Sequence, residues 1–149
     1  MPKYDHHFQG KTPSTVQNFK FFTSGFKRTV GVRGLQKLIN QWLKLFMTTK
    51  GSDPLHLQRG TSFPDLIGSN IVTLSDVQDV VLLAIQDCNA QLSAIQQKNP
   101  PDTDEQLGSA TLIKFQAVGA DGFDAWVTIK NIKQEEATLS LPNPVTGSV

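Results

Sequence analysis

The chain has a single cysteine, Cys88. An intrachain disulfide is therefore excluded, and there is no cysteine cluster to bind zinc. Excess charge of one sign is missing too: 14 Lys and Arg face 13 Asp and Glu, for a formal net charge of +1. That balance supplies no global field to steer the chain to nucleic acid or to a membrane surface. Long apolar runs are also lacking. The longest, Val80 to Ile85, is far too short to span a bilayer. The opening Met1-Pro-Lys-Tyr-Asp-His-His7 holds no apolar signal-peptide core. Apolar residues are only 38% of the 149, while Gly (11) and Pro (8) are plentiful. Such a mixture predicts one domain with a modest core and much irregular chain. The expected setting is a reducing cytoplasm, or a particle assembled there.

Catalytic signatures are absent as well. The sequence contains no G-x-G-x-x-G, no G-x-x-x-x-G-K-[ST], no H-E-x-x-H and no G-x-S-x-G. His6, His7 and His56 have no nucleophile nearby in sequence. Adjacent His6 and His7 lack a third ligand, so solvation is the simpler reading than metal binding. Most carboxylates fall on polar helix faces, in an acidic linker or in turns, which does not suggest a glycosidase pair. No catalytic residue, cofactor or metal is expected, and the chain reads as a non-enzyme.

What is present begins with residues 1–31, which have no clean periodicity. Lys3, Lys11, Lys20, Lys27 and Arg28 outnumber Asp5, and Phe8, Phe19, Phe21, Phe22 and Phe26 are five of the nine phenylalanines. Basic residues interleaved with aromatics can bind single-stranded nucleic acid by charge and stacking. The charge is thin, however, and Gly/aromatic repeats are missing. An extended arm that buries its phenylalanines on its own domain or on a neighbour is the alternative.

An amphipathic helix follows from Gly34 to Met47. Leu35, Leu38, Ile39, Trp42, Leu43 and Phe46 form one stripe, with Lys37, Asn40, Gln41 and Lys44 opposite. Gly51 stands where a C-terminal cap is expected. The next stretch, Thr48 to Asn70, is long for a connection and rich in breakers. Leu55, Leu57, Phe63, Leu66 and Ile67 are expected to pin it down. Arg59 can fork a carboxylate on a partner or bond loop carbonyls. A second helix runs from Ser75 to Lys98, roughly 35 Å at 1.5 Å per residue. Ser75 with Gln78 reads as its capping box. Val77, Val81, Ala84, Cys88, Leu92 and Ile95 make its seam, broadened by Val80, Leu83 and Ala94, and Pro100 and Pro101 end it. Cys88 on that seam reads as an inert packed thiol.

After the polar linker Asn99 to Gly108 the period changes to two. Thr111 to Val118 places Ile113, Phe115 and Ala117 on one face. An Asp121-Gly122 turn leads to Phe123–Lys130, with Phe123, Ala125, Val127 and Ile129 inward. Ala137 to Leu141 gives a short third strand. The predicted fold is α+β: two amphipathic helices packed on a small antiparallel three-stranded sheet, with an extended N-terminal arm. Its parts are an arm at 1–31, a domain at 32–141 and a tail at 142–149. Trp126 faces away from the helices, either as a partner contact or half-buried under the arm.

The order of these elements, together with Thr49-Lys-Gly-Ser-Asp-Pro54 and Phe63-Pro-Asp-Leu-Ile-Gly-Ser-Asn-Ile71, resembles the small baseplate wedge proteins of contractile phage tails. These are also called sheath initiators and have a relative in type VI secretion systems. The resemblance covers roughly 30–141. It departs from the family at Asn99-Pro-Pro-Asp102, where a Glu-Pro-Arg triplet is usual, and in a longer loop with Leu55 to Arg59 inserted. A lysozyme-like label used for some members finds no support in these residues. The resemblance implies a structural protein of the virion tail baseplate, assembled in the host cytoplasm in several copies as a ring. Its implied partners are the tail sheath protein and other wedge, hub and tube proteins, with neither membrane nor nucleic acid. Sheath assembly would be templated by strand pairing between chains. The expected contact residues are Phe19, Phe21, Phe22, Phe26, Arg59, Trp126, Thr138, Leu139, Ser140 and Leu141. The other reading is a small binding module that uses the arm for single-stranded nucleic acid or protein.

Overall fold

A computed structural model describes residues 17–18, 32–66, 73–119 and 122–141. The elements run β1 (Gln17–Asn18), α1 (Leu35–Phe46), a 3-10 turn (Phe63–Leu66), α2 (Leu74–Lys98), β2 (Leu107–Val118), β3 (Gly122–Asn131) and β4 (Glu136–Ser140). The fold is α+β. Strands β2, β3 and β4 form an antiparallel meander that the two helices cover on one face. The sheet order is β1-β4-β3-β2.

Both helices follow their apolar stripes. In α1, Leu38, Trp42 and Phe46 lose all contact with solvent. Trp42 stacks on Phe46 at 4.8 Å, and Phe46 meets Phe63 at 4.5 Å. The 3-10 turn thereby joins the same core. In α2, Val77, Val81, Ala84, Ile85, Cys88 and Leu92 are buried. Ile85 adds to the expected seam, whereas Leu83 is 59% exposed and Ala94 is also exposed. In β3, Phe123, Ala125, Val127 and Ile129 all face the helices and are buried.

Several expectations need correction. Lys37 and Asn40 are not on a solvated face; both are buried. Lys37 reaches across to Glu105, with Nζ 2.5 Å from Oε2, and the same carboxylate accepts the Gly34 N–H through Oε1. Gly34, at φ +64°, caps α1 without any side-chain bond of its own. The far carboxylate supplies what a local cap would have supplied. The α2 cap is Thr73, not Ser75. Thr73 Oγ1 accepts the Asp76 N–H at 3.2 Å and donates to the Asp76 carboxylate at 2.7 Å. The cap thus sits two residues earlier than expected, and the acid at its N3 position, Asp76, bonds the capping hydroxyl instead of closing a Ser/Gln box. Gly51, at φ +86°, shapes a loop turn, because α1 has already ended at Phe46.

The greatest departure lies in β2. Leu112 pairs with Val127 and Lys114 with Trp126, so Ile113 is an extra residue opposed by none. A bulge inserts one residue and reverses the in-out phase beyond it. Ile113 is therefore 55% exposed, while Leu112 before it and Phe115 after it pack on the core. Phe115 stacks on Phe123 at 5.2 Å. Ala117 is exposed despite sharing the phase of Phe115. The strand also starts earlier than expected, at Leu107, with another register shift between Leu107 and Ser109. The Asp121 position of the expected turn lies outside the described residues.

Candidate functional site

Sheet edges are the first place to look for binding, because an edge offers unpaired N–H and C=O groups. The β4 edge, Glu136–Ser140, is taken over its last two residues. Gln17 and Asn18 run parallel to it, opposite Leu139 and Ser140. The arm, expected to pack on its own domain or on a neighbour, places these two residues on its own sheet. Beyond β2 no strand pairs among the described residues. At its start, the Ala110 carbonyl accepts from Asn89 of α2 at 2.9 Å. From Thr111 to Val118 the strand is largely solvent-facing, with Ile113 and Val118 55% and 43% exposed. The bulge at Ile113 divides this margin into two short stretches.

The sequence-derived contact residues scatter. Phe19, Phe21, Phe22 and Phe26 lie outside the described residues. Leu139 and Leu141 point into the core, 3% and 4% exposed, so their side chains hold the fold rather than a partner. Burial follows from the strand's alternation: Ala137, Leu139 and Leu141 share the inner face. Thr138 and Ser140 sit on the outer face. Thr138 Oγ1 lies 3.0 Å from Thr128 Oγ1. Trp126 is half-buried on that face, opposite both Lys114 and Ser140, with Lys114 Nζ 4.6 Å from its ring centroid. The outer face therefore combines hydroxyls, a cation-covered indole and the exposed Lys130–Glu136 pair at 2.9 Å.

Arg59 belongs to a different place, a loop that the sequence reading treats as simply pinned. Its neck is a short parallel bridge. Lys50 N–H donates to Thr61 O at 3.2 Å, and Thr61 N–H to Thr48 O at 2.8 Å. Gln91 of α2 then grips Gly60 from both sides, accepting its N–H at 3.0 Å and donating to its carbonyl at 2.8 Å. The side-chain amide acts as one rung of a strand. Only glycine fits here: φ is +105°, and a Cβ would lie 2.3 Å from Thr48 O. Thr61 is wholly buried and donates to Phe46 O at 2.7 Å. Above this neck the chain turns through Asp53, whose Oδ1 accepts Leu55 N–H at 3.0 Å and whose carbonyl accepts His56 N–H at 3.1 Å. Leu55 and Leu57, expected to anchor the loop, are instead 84% and 61% exposed.

Beside the loop lies a cleft of about 1180 Å³ between α1, α2 and the 99–105 linker. Leu45, Leu92, Ile95, Pro100 and Pro101 give it apolar surface, and Arg59 and Asp53 form part of one wall. Gln96 closes the linker end, donating to Glu105 O and accepting Leu107 N–H.

Two further observations bear on chemistry. Among the described residues no group of three or more His, Cys, Asp or Glu is placed to hold a metal ion. Cys88 is wholly buried and lies 3.4 Å from the Trp42 carbonyl. Burial, then the charge of Asp87, pushes its thiol far above the ordinary range, so it carries no thiolate for nucleophilic work.

Fold and edges together define a small α+β domain whose β2 margin pairs with no further strand among the described residues. Compared with protein-family models, with curated proteins and with solved structures, the chain matches none.

Proposed function

We propose that the chain is a structural component of a contractile phage tail baseplate. It would join the wedge and hub to the first sheath ring and template sheath assembly by strand pairing between chains. The single observation behind this reading is the open margin of β2 from Thr111 to Val118. A solvent-facing strand with apolar Ile113 and Val118 is a liability unless a neighbour completes it. Gln17–Asn18 cover only the end of β4, so the longer margin without a strand among the described residues, and the one this reading assigns to another chain, is that of β2. The bulge at Ile113 would set the register that an incoming strand must match. The layout adds support: helix, pinned loop, long helix, Pro-Pro break and meander follow the order that carries the family resemblance. No helix among the described residues is long and apolar enough to cross a membrane. In this reading the chain works by pairing and packing, without catalysis.

Hydrogen exchange tests the proposal directly. In the isolated chain, amides of Thr111–Val118 on the outer margin exchange fast. In particles assembled with sheath and wedge proteins, the same amides become protected. Equal protection in both states, or absence of the chain from purified tails, overturns the assignment.

A further inference from the structure

Hydrogen bonds within the sheet fix which backbone groups of β2 face outward. The Ala125 carbonyl of β3 accepts the Leu141 N–H at 2.8 Å, so Ala125 turns its polar groups to the β4 side. Its partner in β2, Phe115, receives no bond from it and points N–H and C=O to the margin, because these directions alternate along an antiparallel strand. Ala117 shares that phase, whereas Lys114, Gln116 and Val118 bond back to β3. Before the bulge, Leu112 and Ala110 stand opposite Val127 and Ile129, which share the phase of Ala125. The Asn89 amide on the Ala110 carbonyl, at 2.9 Å, is an independent sign of the same phase. It also closes the margin at that point, where Ala110 is buried. The donors and acceptors left open are those of Leu112, Phe115 and Ala117, whose side chains lie on the helix side of the sheet. Helix α2 walls that side. Asn89 bonds Ala110, and about two turns further on Gln96 accepts the Leu107 N–H. Helix and strand thus run in opposite directions. Leu82, about two turns before Asn89 on the same helix face, overhangs the strand beyond Ala110. Leu82 is 36% exposed, and Leu112 and Phe115 are only partly buried although they pack on the core. Lys114 and Gln116, on the opposite face, are exposed.

We infer that this margin takes an extended peptide segment of a partner protein, antiparallel to β2, with apolar side chains at alternate positions turned under α2 and polar ones between them. The inference rests on β2 as the edge that accepts a strand, but not on which particle supplies it. In antiparallel pairing, the more stable of the two arrangements, the residues that bond Phe115 and Ala117 put their side chains on the same face as those two. The segment's inward residues are therefore also the ones whose N–H groups join the ladder. Apolar groups there complete the cover over Leu112, Phe115 and Leu82, while polar groups fall beside Lys114 and Gln116. A second copy of the chain suits the margin less well. Its β2 carries the same bulge and ends at Val118, so two-fold pairing is confined to the Phe115 and Ala117 rungs. A free segment can bend past the bulge and reach Leu112 as well.

Titration of the full chain with a short synthetic peptide of alternating valine and threonine, followed by the exchange of individual amides in nuclear magnetic resonance spectra, tests it. In the chain alone, the Phe115 and Ala117 amides exchange faster than those of Lys114 and Gln116. Peptide at millimolar concentration protects Phe115 and Ala117. N-methylation of the valines, which face α2 and bond β2, weakens binding by about tenfold or more. N-methylation of the threonines leaves it near the parent level. Leu82→Lys, at an exposed position where an unchanged thermal midpoint certifies the fold, weakens binding by about fivefold or more. Absence of protection at millimolar peptide overturns the inference, as does the reverse methylation pattern or a Leu82→Lys chain that binds like the parent. Protection of Phe115 and Ala117 that grows with chain concentration, without peptide, assigns the margin to a second copy and likewise overturns it. Protection of the margin in assembled tails alongside any of these failures leaves the tail role standing and ends this inference alone.

Discussion

Replacing Lys37 with Met removes half of an ion pair that solvent scarcely reaches. The two side chains are 6% and 4% exposed, at 2.5 Å. Glu105 also holds the Gly34 N–H at 3.2 Å, so one carboxylate fixes the start of α1 twice. Removing one partner of a buried pair costs about 3–5 kcal/mol, because the survivor remains charged and dry. In Lys37→Met the carboxylate keeps one N–H and borders the cleft. The low end, about 3 kcal/mol, is therefore expected. That is a large part of the roughly 5–15 kcal/mol that holds such a domain. At roughly 2–4 °C per kcal/mol for a chain of this length, the thermal midpoint falls by about 6–12 °C. Glu105→Gln strands the ammonium instead and costs a comparable amount, while keeping an acceptor for Gly34. The double variant carries neither charge. It should be more stable than the summed single effects by about 2 kcal/mol. Urea unfolding followed by far-ultraviolet circular dichroism and by the fluorescence of buried Trp42 gives all four corners of the cycle. Single effects that simply add, with coupling below about 0.5 kcal/mol, would mean that water reaches the pair, and the reasoning fails.

Three further outcomes are expected. Thr73→Ala removes the α2 cap and costs about 1 kcal/mol, whereas Ser75→Ala changes stability by no more than about 0.5 kcal/mol; paired urea curves decide between the two caps. Gly60→Ala forces a side chain into the 2.3 Å gap to Thr48 O at positive φ and costs about 2–3 kcal/mol, with faster proteolytic cutting in the loop tip as the second readout. Cys88 stays protonated in the fold, but the unfolded chain begins to release its proton near the ordinary thiol value of 9.0. Folding then holds more protons than the unfolded state, so stability falls as pH rises past that value. The slope approaches about 1.4 kcal/mol per pH unit. Cys88→Ala should flatten it in urea titrations at successive pH values.

Periodicity made most of the architecture readable. The α1 stripe, the core of the α2 seam and the inward set of β3 all stand where their spacing puts them, because each is a local pattern matched to one layer contact. The failures share a cause, which is long range. Nothing near Lys37 in sequence announces Glu105, 68 residues away, so a buried lysine reads as a solvated one. Alternation cannot reveal the bulge at Ile113, since the extra residue is defined only by its partner strand. Leu55 and Leu57 look like loop anchors by composition; the anchoring is done by Phe63, Thr61 and the grip of Gln91 on Gly60. The one legible hint was the surplus length of that loop. The open margin of β2 depended on knowing which strand lies in the middle, and strand order follows from pairing, not from pattern. Leu139 and Leu141 show the same limit: strand alternation marks them as inward only once the position of the helices is known.

The double grip of Gln91 on Gly60, with the Thr48–Thr61 rungs beneath it, has a practical corollary. It closes the chain into a ring below the tip, so forces and length changes above residue 51 stop at the neck. Foreign peptide can be spliced there as a display graft, or the tip shortened to a minimal turn, while both helices keep their seats.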